Sequence, residues 1–172
     1  MRAPGCAVLV IGIDPGLSGA IGYLHEDGFA EAFDMPTMAY SKTGFVKNAV
    51  DVNALATELW AASEAHRLGA APAVVYMERV NAMPGQGVGS MFSLGMSYWG
   101  AAGVVAALGL PLNLIAPAEW KRHFRLDSNK DAARGLASRM FPGVNLSRKK
   151  DHGRAEALLI AAYGRTKCTK NC

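Results

Sequence analysis

The stretch from Ala7 to Leu24, AVLVIGIDPGLSGAIGYL, leaves this chain few folds to choose from. An apolar run of strand-forming residues, Val8 to Ile13, carries a single carboxylate, Asp14, into a Pro15-Gly16 turn. A second apolar run, Ala20 to Leu24, returns from it. Short apolar runs bounded by Gly and Pro read as strands. Asp14 is therefore expected at the inner end of a buried strand, where an unpaired carboxylate is unfavourable. A turn-capping role accounts for a lone Asp equally well, so the remainder of the chain has to separate the two.

Gly28 to Phe33 reads as a third strand that closes an antiparallel meander, and 36–50 reads as a loop. From Asp51 to Leu68, Val52, Leu55, Ala56, Leu59 and Trp60 recur at helical spacing, with Gly69 as the stop. Ala73 to Met77 is again a buried strand, and it runs straight into Glu78. The first pattern is thus repeated: an apolar strand with one acid at its end. A polar, Gly- and Pro-containing loop, Arg79 to Gly89, precedes a long helix, Ser90 to Leu108. Its small residues (Gly95, Gly100, Ala101, Gly103, Ala107) suit tight packing on a sheet, or else a homodimer seam. Leu110 to Ala116 gives another strand, and Pro117 opens a short helix holding Trp120 and Lys121. Helices at Ser128–Met140 and Asp151–Tyr163 complete the order β-β-β-α-β-α-β-α-α-α. This predicts an α/β fold, a mixed five-stranded sheet flanked by helices, as one domain over 1–164 with a polar tail at 165–172.

Half of the 172 residues are hydrophobic and 19% are charged, which excludes a disordered chain. No apolar run approaches membrane-span length, so no membrane partner is expected. The first residues lack a signal-peptide pattern. The expected location is the cytoplasm, or an organelle stroma if a transit peptide has been removed. An odd set of cysteines, Cys6, Cys168 and Cys172, fits a reducing compartment better than a disulfide framework. Charge is unevenly placed: residues 1–115 hold 5 Lys+Arg against 9 Asp+Glu, whereas 116–172 hold 13 against 5. A basic block of that density points to a polyanion, with nucleic acid as the leading class.

Acids now stand at two strand ends (Asp14, Glu78) and in the first turns of the last helix (Asp151, Glu156). Two carboxylates about 4 Å apart repel by roughly 4 kcal/mol at an effective dielectric of 20. A cluster of them needs protons or cations, and hard oxygen donors suit Mg²⁺ or Mn²⁺. Two such ions per site can activate a water and stabilise the leaving oxygen of a phosphodiester. Glu156 lies four residues after His152, on one helical face, and five after Asp151. Asp151 at the helix N-terminus can turn inward or merely cap it, and His152 can be a metal ligand, a general base or a phosphate partner. Lys121 and Lys130 border this region, and either can steady a transition-state charge. Arg122, Arg148, Lys149, Lys150 and Arg154 supply the phosphate-binding block, and Met83 is the candidate wedge against a base.

Three segments carry a family resemblance: Gly12-Ile13-Asp14-Pro15-Gly16, then Tyr76-Met77-Glu78, then Asp151-His152-Gly153-Arg154-Ala155-Glu156-Ala157-Leu158-Leu159. Together, and in this order, they resemble the RuvC-type Holliday junction resolvases of the ribonuclease H-like superfamily. The last segment is most similar to the branch with chloroplast and phage or bacterial members. The resemblance implies a homodimer that binds a four-way DNA junction and nicks two opposed strands with Mg²⁺ or Mn²⁺. It implies that Asp14, Glu78 and Glu156 are metal ligands, with Asp151 or His152 as the fourth. Glu156 stands where the wider family often has Asp, and its distance from its upstream partner is longer than in many members. A related nuclease acting on structured or precursor RNA would use the same acids, and a non-catalytic junction binder would not need them. An actin-like ATP-binding fold requires two such domains. Gly16-Leu17-Ser18-Gly19 does not match the serine-hydrolase elbow.

Overall fold

The computed structural model describes residues 8–41, 43–44, 46–81 and 85–168. Met83, Cys6 and Cys172 lie outside the described residues. Three strands, β1 (Leu9–Asp14), β2 (Ala20–Leu24) and β3 (Ala30–Asp34), form the expected antiparallel meander. The main sheet is completed by β6 (Ala73–Glu78) and β7 (Leu112–Ile115), both parallel to β1, in the order β3-β2-β1-β6-β7. Helix α1 (Val52–Arg67) starts where Asp51 accepts bonds from the Asn53 and Ala54 N–H groups, a side-chain cap that satisfies free donors of the first turn. It is followed by α2 (Val88–Ala107), α3 (Pro117–His123), α4 (Lys130–Met140) and α5 (His152–Cys168). No helix among the described residues is long and apolar enough to cross a membrane.

Alternation along the strands divides the core in two. Ile11, Ile13, Val75 and Met77 face α1 and α2, with Leu55, Leu59, Ala101 and Val105. Val10 and Tyr76 face the opposite way, onto α3, α4 and α5, with Trp120, Ala137, Leu158 and Leu159. Period two then places Asp14 and Glu78 on the α5 side, two residues beyond Gly12 and Tyr76 respectively. The β1–β6 register pairs Gly12 with Tyr76 and Ile13 with Met77, so one step further sets Asp14 opposite Glu78.

Glycine decides how closely α5 approaches the sheet. A Cβ at Gly12 would collide with the backbone of Ala157 and Ala161, and one at Gly153 with the Ser18 carbonyl oxygen. The helix backbone thus rests directly on strand backbone, bringing Glu156 to the strand ends.

Two expectations are corrected. The 36–50 stretch contains a small antiparallel pair, β4 (Thr37–Ala39) with β5 (Asn48–Val50), instead of loop alone. Its inner residues Ala49 and Val50 are buried, which supplies the reason for order in so short a pair. Helix α5 continues to Cys168, past its expected end at Tyr163, with Cys168 packed against the α5-side core.

Candidate active site

Asp14 ends β1, Glu78 ends β6, and Glu156 projects from the first turns of α5. The three carboxylates act on one another. Burial, then Glu156, then Glu78 push the Asp14 carboxyl up to about 7, against a weak contact from the Gly16 N–H (3.5 Å) and the positive charge of Lys130. Burial also raises Glu78, offset by a hydrogen bond from Trp120 and opposed by the charges of Lys121 and Lys130. The Trp120 Nε1–H donates to Glu78 Oε2 at 2.7 Å. Lys121 Nζ stands 3.9 Å from Glu156 Oε1 and 5.2 Å from the Trp120 ring centroid. Both lysines singled out in the sequence therefore border the acids.

Among the described residues, no three His, Cys, Asp or Glu side chains form a ready-made metal cage. The donor set nevertheless fits a hard divalent cation. Mg²⁺ is ordinarily held by one or two carboxylates, with waters and substrate phosphates filling its other positions. Crowded carboxylates without an arginine partner provide that kind of partial shell.

Asp151 stands apart from the other three acids in its surroundings. Its side chain is 1% exposed and is bound by Arg148, with Nη2 at 2.7 Å and Nε at 3.0 Å from Oδ1. The Arg148 backbone N–H donates to its Oδ2 at 2.8 Å. Asp151 closes the 3-10 turn at Lys149–Asp151 that leads into α5. The Arg148 guanidinium holds its carboxyl below the usual range. Asp151 is held as the acidic partner of a capping box at that turn. Asp151→Asn is therefore expected to lower the unfolding free energy by about 0.5–2 kcal/mol, as loss of a helix cap does. Denaturant unfolding beside a cleavage assay checks this: a large loss of activity in a fully folded variant would return Asp151 to the ligand set.

The basic residues separate into two groups. Arg148 is paired as above, and Arg154 grips Asp34 at the end of β3 through Nε (2.5 Å) and Nη2 (2.8 Å). Both guanidiniums, expected as phosphate contacts, already have carboxylate partners in the fold. Arg122, Lys149 and Lys150 are exposed. Lys130, Lys149, Lys150 and His152 line a pocket of 410 Å³ with Asn129 and Asp131. His152 is half-buried there, and its Nδ1 is 3.2 Å from the Lys149 carbonyl oxygen.

Trp120 is the site residue that sequence reasoning missed. Its place comes from tertiary structure: Ile115 pairs with Glu78 across β6–β7, and Pro117 starts a helix directly afterwards. That places the first turn of α3 above the Glu78 side chain.

No protein-family model matches the chain. A curated relative, the chloroplastic Holliday junction resolvase MOC1 of Chlamydomonas reinhardtii, is 34% identical over 97 residues, covering 54% of this chain. The chain spans only 11% of that relative's length. Among solved structures, Thermus thermophilus RuvC in complex with Holliday junction substrate superposes with a TM-score of 0.55 at 18% identity. The match covers 93% of this chain and 96% of that one. The fold is that of RuvC. The sequence relationship to a Holliday junction resolvase bears out the family resemblance, and the RuvC-type architecture bears out the mixed five-stranded sheet.

Proposed function

We propose that this chain is a structure-specific DNA endonuclease that resolves four-way junctions by metal-dependent phosphodiester hydrolysis. The observation that carries the reading is the convergence of Asp14, Glu78 and Glu156, with Lys121 beside Glu156 and Lys130 acting on the other two. The relative's identity as a junction resolvase and the junction bound to the RuvC neighbour support the same substrate. A bound Mg²⁺ or Mn²⁺ pair would supply the activation of water and the stabilisation of the leaving oxygen. The chain's own part is to hold cations with the three carboxylates and to steady developing negative charge with Lys121 and Lys130. The basic pocket beside His152 takes a neighbouring phosphate, and Arg122 adds a further contact. Met83, which precedes α2 in the sequence, remains the proposed wedge. The location that fits the chloroplastic relative is an organelle.

Symmetric nicking of two opposed strands requires two sites related by a two-fold axis. Helix α2 offers the seam. Val88 (80% exposed), Phe92 (58%) and Trp99 (68%) lie on one helical face with Gly95 and Gly103, where an added Cβ would meet nothing within 4 Å. Close packing on the sheet explains Ala101 and Ala102 but leaves this apolar face uncovered. A second copy of the chain is its proposed occupant. Trp99→Arg is expected to convert a dimer into a monomer in sedimentation equilibrium while leaving circular dichroism unchanged. A wild-type monomer at micromolar concentration would remove the seam.

The deciding experiment mixes purified protein with a synthetic four-way DNA junction, with and without Mg²⁺, and with duplex DNA and structured RNA as competitors. Paired symmetric nicks that require the metal support the resolvase. Tight junction binding without cleavage in any divalent metal would instead identify a binding protein, and preference for the RNA a processing nuclease.

A further inference from the structure

Trp120 is the largest fully buried side chain of the protein, yet its indole is attached to the acid cluster at two points. Its N–H occupies Glu78 Oε2, and its ring face lies under the Lys121 ammonium, within the distance at which a cation is attracted to an aromatic face. Helix α3 is itself anchored on α5, where the Tyr163 hydroxyl donates to Glu119 Oε2 at 3.3 Å and the Tyr163 ring meets His123 at 5.5 Å. The indole is therefore rigidly placed. A buried indole N–H normally finds an acceptor. This one has taken an oxygen of a proposed metal ligand in preference to a backbone carbonyl.

We propose that Trp120 is a positioning residue that engages one oxygen of Glu78 and so fixes how that carboxylate is presented to a divalent cation, and that also seats Lys121 beside Glu156. The inference rests on the metal-binding reading above and adds to it a side chain that acts only through Glu78 and Lys121. Partners that orient a metal-binding carboxylate typically change metal affinity by about 10–100-fold when removed.

The test replaces Trp120 with 3-benzothienylalanine, which keeps the bicyclic ring shape but has no N–H, and compares it with Trp120→Phe. Mn²⁺ binding to the DNA-free protein is measured by titration calorimetry, well below the unfolding midpoint of every variant, so that lost fold does not contribute. The expected result is Mn²⁺ affinity about 10–100-fold weaker in the benzothienyl protein, with the difference abolished in a Glu78→Gln background. Equal affinity of wild type and the benzothienyl protein would overturn the positioning role while leaving the metal site intact. An undiminished loss in the Glu78→Gln background would also overturn it, because the effect would not run through Glu78. Absence of Mn²⁺ binding by the wild type would instead overturn the metal reading, and this proposal with it.

Discussion

Asp14→Asn is expected to abolish junction nicking and, at the same time, to make the metal-free protein more stable at pH 8. The loss of activity should exceed a hundredfold, since removing even an outer partner of a metal ligand costs 10–100-fold. The gain in stability follows from the direction of the Asp14 shift. Burial and the charges of Glu156 and Glu78 raise its carboxyl from 3.8 to about 7 in the folded protein. The folded state therefore binds the proton more tightly than the unfolded chain does. Its stability is full below about pH 4, falls as pH rises through the interval, and stays low above about pH 7. A shift of about three units corresponds to ~4 kcal/mol as an upper bound. Asp14 keeps partial solvent contact, so screening brings the expected effect to about 2 kcal/mol. Urea unfolding in EDTA at pH 5 and pH 8 checks this. The wild type should lose more stability between the two values than the variant, which keeps only the raised Glu78 carboxyl, while added Mg²⁺ should restore the wild type alone. A variant less stable than wild type at pH 8 in EDTA would mean that the carboxylates are not crowded.

Gly12→Ala is expected to destabilise the protein by about 3 kcal/mol or more, although it adds only one methyl group. The new Cβ would run into the Ala157 oxygen and the Ala161 nitrogen, both of them helix backbone that no rotamer change can move aside. Overpacking of this kind costs about 1–3 kcal/mol even where side chains can shift. For a domain of this size the unfolding midpoint should fall by roughly 10 °C. Relief comes only if α5 lifts from β1, and that carries Glu156 away from Asp14. Cleavage measured at a temperature where the variant is still folded should therefore fall as well. Gly135→Ala is the matched control. A Cβ there meets only the flexible end of Arg139, at 3.8 Å, within helix α4. It should stabilise by about 0.5–1 kcal/mol. Scanning calorimetry of both variants separates steric closeness from any general effect of replacing glycine.

Strand alternation and apolar run length were enough to place Asp14 and Glu78 at the ends of neighbouring strands on one face. Both signals are local, and both are set by the same period-two geometry that builds the sheet. The last-helix motif supplied Glu156 through its resemblance to the resolvase family, while spacing left its upstream partner open between Asp151 and His152. The β4–β5 pair escaped notice because three-residue strands carry no periodicity, and all of β4 is exposed.

Spacing along the chain settled which acids sit on which elements, and with them the RuvC-type fold; which acids are free to work was decided by partners brought together in space. Asp151 and Glu156 look alike in the sequence, but Arg148 neutralises one of them, whereas Lys121 stands at 3.9 Å from the other. Trp120 and Glu78 are 42 residues apart, so no local pattern connects the indole to its carboxylate. The protonation of Asp14 is likewise not a property of its own segment. It depends first on burial and then on carboxylates from α5 and β6, whose Coulomb interaction acts through space at distances only the folded chain creates.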